Sequence, residues 1–249
     1  ALHIGGATSQ VSPGIHILAC HFITPNMFAP GDRALFTTFL DQLQNFGDLI
    51  NIQDAVALVC EDKCETSNDC LIALTFDDGF EECEYIAELL TDRRTNAAFF
   101  INSNYVGCDT NYRLAFEQRT LVTTKKPLSW DALRKIKEMG HIIGSHTLDH
   151  ERLSTLSYKD QVFQLAKNKE LLERELSYEC DYFAWPYGTQ SDVNADTIDI
   201  ASSMHKYTFS SFGYKNYRSF EGRVINRRHV EPDWPKRHLN YFLSVNKKR

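Results

Sequence analysis

The chain has 249 residues, of which 43% are hydrophobic and 24% are charged. This composition is typical of a soluble globular protein, and the length suits one large α/β domain. We therefore predict a single domain that covers residues 1–249. The net charge of −6, from 27 basic and 33 acidic residues, argues against a nucleic-acid partner, because such proteins usually carry a basic surplus. No apolar run approaches the ~20 residues of a transmembrane helix, and no signal peptide is visible.

Apolar runs and helical spacing alternate along the sequence. Strands are predicted over residues 14–22, from 71 to the pair 77–78, and over 97–101, 141–144, 182–185, 207–210 and 223–230. Helices are predicted over residues 33–46, 81–92, 129–139, 157–176, 191–205 and 234–245. The polar stretch 102–127 is predicted to be a long irregular surface segment near the site, since long loops are often functional.

The predicted strands are apolar without alternation, which is typical of a parallel sheet covered on both faces. About seven strand–helix units favour a closed sheet, so we expect an α/β fold: a distorted (β/α) barrel similar to a TIM barrel. In such barrels the chemistry lies at the carboxyl ends of the strands. The polar residues expected to meet at that rim are His21, Asp77, Asp78, His146, His150 and Tyr187.

Seven cysteines, an odd and scattered set, favour a reducing compartment. We therefore predict a cytoplasmic protein, with a secreted mature form as the alternative. Cys60, Cys64 and Cys70 lie close together in the sequence. They could hold a structural metal, form a local disulfide or remain free loop thiols.

Two polar clusters carry the chemistry. Asp77 and Asp78 follow an apolar run and precede Gly79, whose backbone freedom would let the chain bend towards a ligand. His146 and His150 follow another apolar run. One carboxylate and two imidazoles are a common catalytic zinc set, which leaves a coordination position open. The alternative for the acidic pair alone is a helix N-cap.

These residues resemble the motifs of the polysaccharide deacetylases, carbohydrate esterase family 4. Residues 75–79 (Thr-Phe-Asp-Asp-Gly) match the first motif of the family, and residues 145–150 (Ser-His-Thr-Leu-Asp-His) match its histidine motif. Residues 185–188 (Trp-Pro-Tyr-Gly) resemble its third motif. The resemblance extends from about residue 15 to residue 230.

The resemblance implies a role for each matched residue. Asp77 would be the general base, Asp78, His146 and His150 the metal ligands, and the backbone amide of Tyr187 an oxyanion donor. Zn²⁺ is the expected ion, with Co²⁺, Ni²⁺ or Fe²⁺ as alternatives.

The sequence departs from the family pattern at two places. The arginine that usually precedes the third motif and orients the base is replaced by Ala184, and Arg227 is the candidate substitute. The usual late histidine motif, which supplies the general acid, is not clear. His229, His21 and His238 are its candidates, in that order.

Together these observations predict a metal-dependent N-deacetylase that acts on an acylated sugar or glycan, in surface-polysaccharide (lipopolysaccharide) biosynthesis. Two rivals stay open. A sugar deformylase or O-acetyl esterase would use the same site, and a catalytically silent carbohydrate-binding protein would keep the fold without the activity.

Overall fold

The computed structural model describes residues 10–64, 69–122 and 124–246. In these ranges it has ten strands, eight α-helices and one short 3₁₀-helix, Leu153–Thr155. The strands are β1 Gly14–Cys20, β2 Asp48–Leu49, β3 Cys70–Phe76, β4 Ala97–Ile101, β5 Ile142–Ser145, β6 Tyr182–Ala184, β7 Tyr207–Ser210, β8 Arg218–Ser219, β9 Val224–Asn226 and β10 Arg228–His229. The helices are α1 Asp32–Gln44, α2 Ile52–Cys60, α3 Cys83–Asp92, α4 Thr110–Thr120, α5 Trp130–Glu138, α6 Tyr158–Leu176, α7 Ala195–Met204 and α8 Lys236–Leu243.

One curled sheet forms the frame, in the order β10-β1-β3-β4-β5-β6-β7-β9-β8, with β2 beside β3. All neighbours in this sheet are parallel except β8 and β9. Most of its strands are buried on both faces: in β1, Ile15 and Ile17 pack into one apolar cluster while Leu18 and Cys20 pack into another. The predicted α/β barrel-like architecture is confirmed.

The last strand joins the two ends of this sheet. β9 pairs with β7 through contacts such as Ser210 with Asn226, and β10 pairs with β1 at Leu18–Arg228. The predicted strand 223–230 is therefore present but interrupted at Arg227, where the chain changes partner. Arg227 is fully buried at this change of partner, with its guanidinium 5.0 Å from the Phe100 ring centroid.

Two segments differ from the prediction. Residues 102–127 are not wholly irregular, because α4 lies within them. The sequence did not predict this helix because it has no regular apolar spacing: Phe116 is its one buried residue. No element is predicted for residues 47–59, yet α2 lies there with Ile52, Ala55, Val56 and Val59 on a buried face.

Cys60 therefore ends a helix rather than lying in a loop. In the described part of the chain, Cys60 and Cys70 form no disulfide, and the groups there that could hold a metal contain no cysteine. Within the described ranges, no helix is both long and apolar enough to cross a bilayer.

A buried ion pair ties together the loops at the carboxyl rim. Lys125 Nζ donates to both Glu82 carboxylate oxygens, at 2.8 and 2.6 Å, and both side chains are at most 1% exposed. Glu82 Oε1 also accepts from the backbone N–H of Ile23 at 2.6 Å. Glu82 thus holds the loop after β1 and the loop before α5 against the turn that follows β3.

A neutral histidine fixes the start of β4. The backbone N–H of Ala97 donates to His141 Nδ1 at 3.1 Å, so this nitrogen must be unprotonated. His141 Nε2 lies 3.0 Å from the carbonyl oxygen of Ala87, which only accepts, and so carries the ring proton. Burial lowers the pKa of His141 from 6.5 to about 4.

We expect Lys125→Met to destabilise the fold by about 3–5 kcal/mol, because it leaves the Glu82 carboxylate buried without its partner. The double variant Glu82→Gln/Lys125→Met should recover part of that loss, since Gln keeps an acceptor for Ile23 and carries no charge. Urea unfolding of the three proteins measures both effects. A loss below 1 kcal/mol in the single variant would contradict this role.

We also expect stability to fall between pH 6.5 and pH 4. In that window the unfolded chain binds a proton at His141 that the folded protein does not bind, which favours unfolding by up to about 3 kcal/mol at the lower limit. His141→Gln should flatten the dependence of the unfolding free energy on pH, whereas His238→Gln, at a partly exposed position, should leave it unchanged. An unaltered pH dependence in His141→Gln would refute the assignment.

Candidate active site and metal centre

The predicted polar residues do meet at one rim of the sheet. A cavity of about 380 Å³ opens there. The predicted residues among its lining are His21, Asp78, His150, Tyr187 and His229. Lining residues that were not predicted as site residues include Phe22, Thr120, Val122, Glu231 and Trp234. His238 does not line this cavity.

Asp78, His146 and His150 converge at the wall of the cavity, where Asp78 and His150 line it. Asp78 Oδ1 lies 3.5 Å from His146 Nε2 and 3.2 Å from His150 Nε2, and all three side chains are buried. Although these contacts are close, Asp78 Oδ1 accepts no hydrogen bond. A buried carboxylate oxygen without a hydrogen bond is costly, and a cation between the three groups would satisfy it.

The tautomer of His146 fits a metal ligand. Its Nδ1 lies 2.8 Å from the carbonyl oxygen of Ala184. Because that oxygen only accepts, Nδ1 carries the proton and Nε2 keeps its lone pair free towards Asp78. Ala184, which stands where the family usually has an arginine, therefore contributes its backbone here. The donor set of one oxygen and two nitrogens suits a divalent transition metal.

Electrostatics keep the acidic ligand ionised and the second imidazole neutral. Burial would raise the pKa of Asp78, but the nearby His150 and His146 hold it well below its usual value. Burial lowers the pKa of His150, and the Asp78 carboxylate opposes that shift only in part. A carboxylate and a neutral imidazole are the protonation states that bind a metal.

Asp77 belongs to a separate unit with Arg227. Arg227 Nη1 donates to Asp77 Oδ1 at 2.7 Å, and Nη2 donates to Oδ2 at 2.9 Å. Nη1 also donates to Thr75 Oγ1 at 2.9 Å. Burial would raise the pKa of Asp77, but Arg227, together with His146 and His21, holds that pKa below its usual value. The predicted proximity of Arg227 to Asp77 is thus present as a two-pronged ion pair.

The backbone separates the two neighbouring carboxylates. Asp78 and Gly79 both adopt left-handed conformations, with φ of 75° and 84°, and the Gly79 N–H donates to the Asp77 carbonyl at 3.0 Å. The predicted bend therefore starts one residue earlier than Gly79. Thr147, His150 and Tyr187 also have φ between 57° and 67°. Non-glycine residues rarely adopt this conformation, and such strain is common at functional sites.

A polar network holds the loop that carries the two histidines. Asp149 accepts from Asn104 Nδ2 at 2.8 Å, from the Tyr112 hydroxyl at 2.6 Å and from Gln164 Nε2 at 2.8 Å. Its backbone N–H donates to Gln164 Oε1 at 3.0 Å. Asp149 thereby links the loop to α4 and α6 and fixes the position of His150 beside it.

Tyr187, in the third motif, lies against His150. Its ring lies 4.8 Å from the His150 ring, the Arg152 guanidinium lies 4.1 Å from its centroid, and its hydroxyl donates to the Arg119 carbonyl at 3.2 Å. These contacts fix the loop at the cavity wall. The oxyanion role of the Tyr187 amide stays a prediction.

The other wall of the cavity holds two histidines on one carboxylate. His21 Nδ1 and His229 Nε2 both lie 2.7 Å from Glu231 Oε1. Burial would lower the pKa of His21, but Glu231, together with Asp78 and Asp77, raises that pKa to about 9. His21 is therefore protonated at neutral pH. Two of the three predicted acid candidates, His21 and His229, therefore face the cavity.

Glu231 is the main site residue that the sequence analysis missed. His229 and Glu231 are two residues apart at the end of a strand, where side chains share one side, so the sequence contained a signal. The contact of Glu231 with His21 spans 210 residues, and no local pattern reveals it. Trp234, 5.2 Å from the His229 ring, completes this wall.

Comparison with known proteins agrees with this geometry. The sequence model of the polysaccharide deacetylase family matches residues 65–209. A chitin deacetylase of Colletotrichum lindemuthianum is 30% identical over 157 residues, which are 57% of this chain and 57% of that protein. The peptidoglycan-N-acetylmuramic acid deacetylase PdaC of Bacillus subtilis is 23% identical over 193 residues, which are 76% of this chain but 37% of that protein.

Solved structures share the fold at low sequence identity. IcaB from Ammonifex degensii superposes with a TM-score of 0.69 at 19% identity, covering 95% of this chain and 100% of that one. The Streptococcus pyogenes deacetylase PplD in complex with acetate gives a TM-score of 0.65 at 16% identity, covering 93% and 97%. Because the family match covers more than half of the sequence, the chain belongs to the polysaccharide deacetylase family.

Proposed function

We propose that the protein is a metal-dependent hydrolase that removes the N-acetyl group from a sugar of a polysaccharide or its precursor. The proposal depends on the different surroundings of the two adjacent carboxylates, Asp77 and Asp78. Asp78 faces two histidines with an unsatisfied oxygen, while Asp77 is held apart by Arg227. A metal-binding carboxylate beside a separately held base is what amide hydrolysis by water requires.

Asp78, His146 and His150 would hold the ion. When bound, a divalent cation supplies Lewis acidity, which polarises the acyl carbonyl and acidifies water. Zn²⁺ fits the ligand types best, with Co²⁺, Ni²⁺ and Fe²⁺ as alternatives.

The residues of the chain would move the protons. Asp77, kept ionised by Arg227, takes a proton from the attacking water as its oxygen bonds to the acyl carbon. The Tyr187 amide would stabilise the oxyanion of the tetrahedral intermediate. His21, protonated through its pairing with Glu231, donates a proton to the sugar nitrogen as the carbon–nitrogen bond breaks. Acetate and the amino sugar leave.

A charged imidazolium favours an amide over an ester substrate. The nitrogen of an amide must be protonated before it can leave, whereas a sugar oxygen is a better leaving group. The cavity, about 380 Å³ and walled in part by Phe22, Tyr187 and Trp234, is near the lower limit of small-molecule sites (~300–1,000 Å³). It would hold the reacting sugar ring while the rest of a glycan lies outside.

The chain spans 57% and 37% of the lengths of the two curated relatives described above, which are a chitin deacetylase and a peptidoglycan deacetylase. Their names support an acetylated sugar polymer as the substrate class. The cytoplasmic location and the role in surface-polysaccharide biosynthesis stay predictions from the sequence.

Acetate release tests the function. We expect the zinc-loaded protein to release acetate from chitin oligomers or peptidoglycan, and a chelator to abolish release. Asp77→Asn should lower the rate at least 10²-fold with unchanged zinc content, because Asn cannot accept the proton. Faster hydrolysis of N-formyl or O-acetyl sugars would favour the rival hydrolases. No hydrolysis of any acylated sugar with zinc bound would favour a binding protein.

The orienting role of Arg227 gives a second prediction. Arg227→Lys keeps a positive charge but loses the two-pronged contact with Asp77, so we expect kcat to fall about 10–100-fold with zinc content unchanged. Arg228→Lys is the matched control, because the Arg228 guanidinium lies 3.5 Å from the Phe242 ring centroid and takes no part in the site. Equal rates for the two variants would contradict the role.

A further inference from the structure

The second histidine cluster has the donor set of a metal site in its own right. Glu231 Oε2 is committed to the backbone N–H groups of His21 at 3.1 Å and Phe22 at 3.5 Å. Glu231 Oε1 is left as the single point on which His21 Nδ1 and His229 Nε2 converge. Two imidazoles and one glutamate are a zinc-ligand combination that leaves a position open for solvent.

The arrangement of these groups suits coordination. One ligand atom from each of His21, His229 and Glu231 lies within 4.8 Å of the others. The two imidazole rings are nearly perpendicular, with centroids 5.0 Å apart, so they approach the carboxylate oxygen from different directions. Ligands about 2.0–2.2 Å from a tetrahedral ion lie roughly 3.3 Å from one another. The 2.7 Å contacts would therefore need to open by only several tenths of an ångström.

The cluster combines a buried carboxylate with two partly exposed imidazoles. Glu231 is 5% exposed, while His21 and His229 are 29% and 43% exposed. All three line the same cavity as Asp78 and His150. An ion that enters the cavity can reach the cluster without any movement of the fold.

We propose that His21, His229 and Glu231 form a second divalent-metal site, weaker than the Asp78 site, and that its occupation inhibits the enzyme. It is weaker because an ion must replace two hydrogen bonds to Glu231 Oε1, whereas Asp78 Oδ1 has none to give up. The inhibitory part rests on the proposed function: the ion would replace the Nδ1 proton of His21 in the cavity that receives the sugar, and the Nε2–H of the neutral ring that remains is too weak an acid to protonate the leaving nitrogen.

Cobalt titration tests the binding without any substrate. We expect the chelator-stripped protein to bind two equivalents of Co²⁺ in equilibrium dialysis, the second at least tenfold more weakly, each with its own visible absorption. Asp78→Asn should lose the tight equivalent and keep the weak one. His229→Gln, at a partly exposed position, should lose the weak equivalent, and His238→Gln should bind both.

Binding of one equivalent by the wild-type protein up to millimolar Co²⁺ would overturn the proposal, as would retention of both equivalents by His229→Gln. Activity tests the inhibitory part separately. Excess Zn²⁺ should inhibit acetate release by the wild-type protein, and His229→Gln should shift the midpoint of the inhibition at least tenfold upward. Occupation of the second site without loss of activity would refute that part. Failure of the proposed activity would leave the dialysis result unaffected.

Discussion

The ion pair between Arg227 and Asp77 is the contact on which the rest of the site depends. The fully buried guanidinium lies where the chain stops pairing with β7 and begins to pair with β1. The same residue therefore lies at the closure of the sheet and orients the Asp77 carboxylate. Buried pairs of this kind contribute little net stability, because desolvation offsets the attraction. We regard this pair as functional, because Arg227 keeps the Asp77 carboxylate ionised and oriented at a buried position where water cannot solvate it.

The neighbouring carboxylate has the opposite surroundings. Arg227 satisfies both oxygens of Asp77, whereas Asp78 Oδ1 is buried without a hydrogen bond and faces two imidazoles. The left-handed turn at Asp78 and Gly79 makes the separation possible, since extended strand residues alone would not reach these two places. Two identical side chains, adjacent in sequence, thereby acquire different roles: one suits a metal and the other suits a proton.

Much of this site was predictable because parallel strands bring their carboxyl ends together. Asp77, Asp78, His146 and His150 stand directly after apolar runs, so strand topology alone predicted them at one rim. Arg227 was predicted from the resemblance to the family. Glu231 escaped prediction because its role depends on His21, which is distant in sequence. The Glu82–Lys125 pair escaped for the same reason. Helix α4 escaped because its polar sequence shows little of the apolar spacing that identifies helices.

We expect Asp78 to bind the ion while Asp77 stays paired with Arg227. Crystals grown with stoichiometric zinc and measured at the zinc absorption edge test it most directly. We predict one strong anomalous peak about 2.0–2.2 Å from Asp78, His146 and His150, with the Asp77 carboxylate outside the coordination sphere and still paired with Arg227. No peak at the three ligands, or a peak coordinated by Asp77, would contradict the claim.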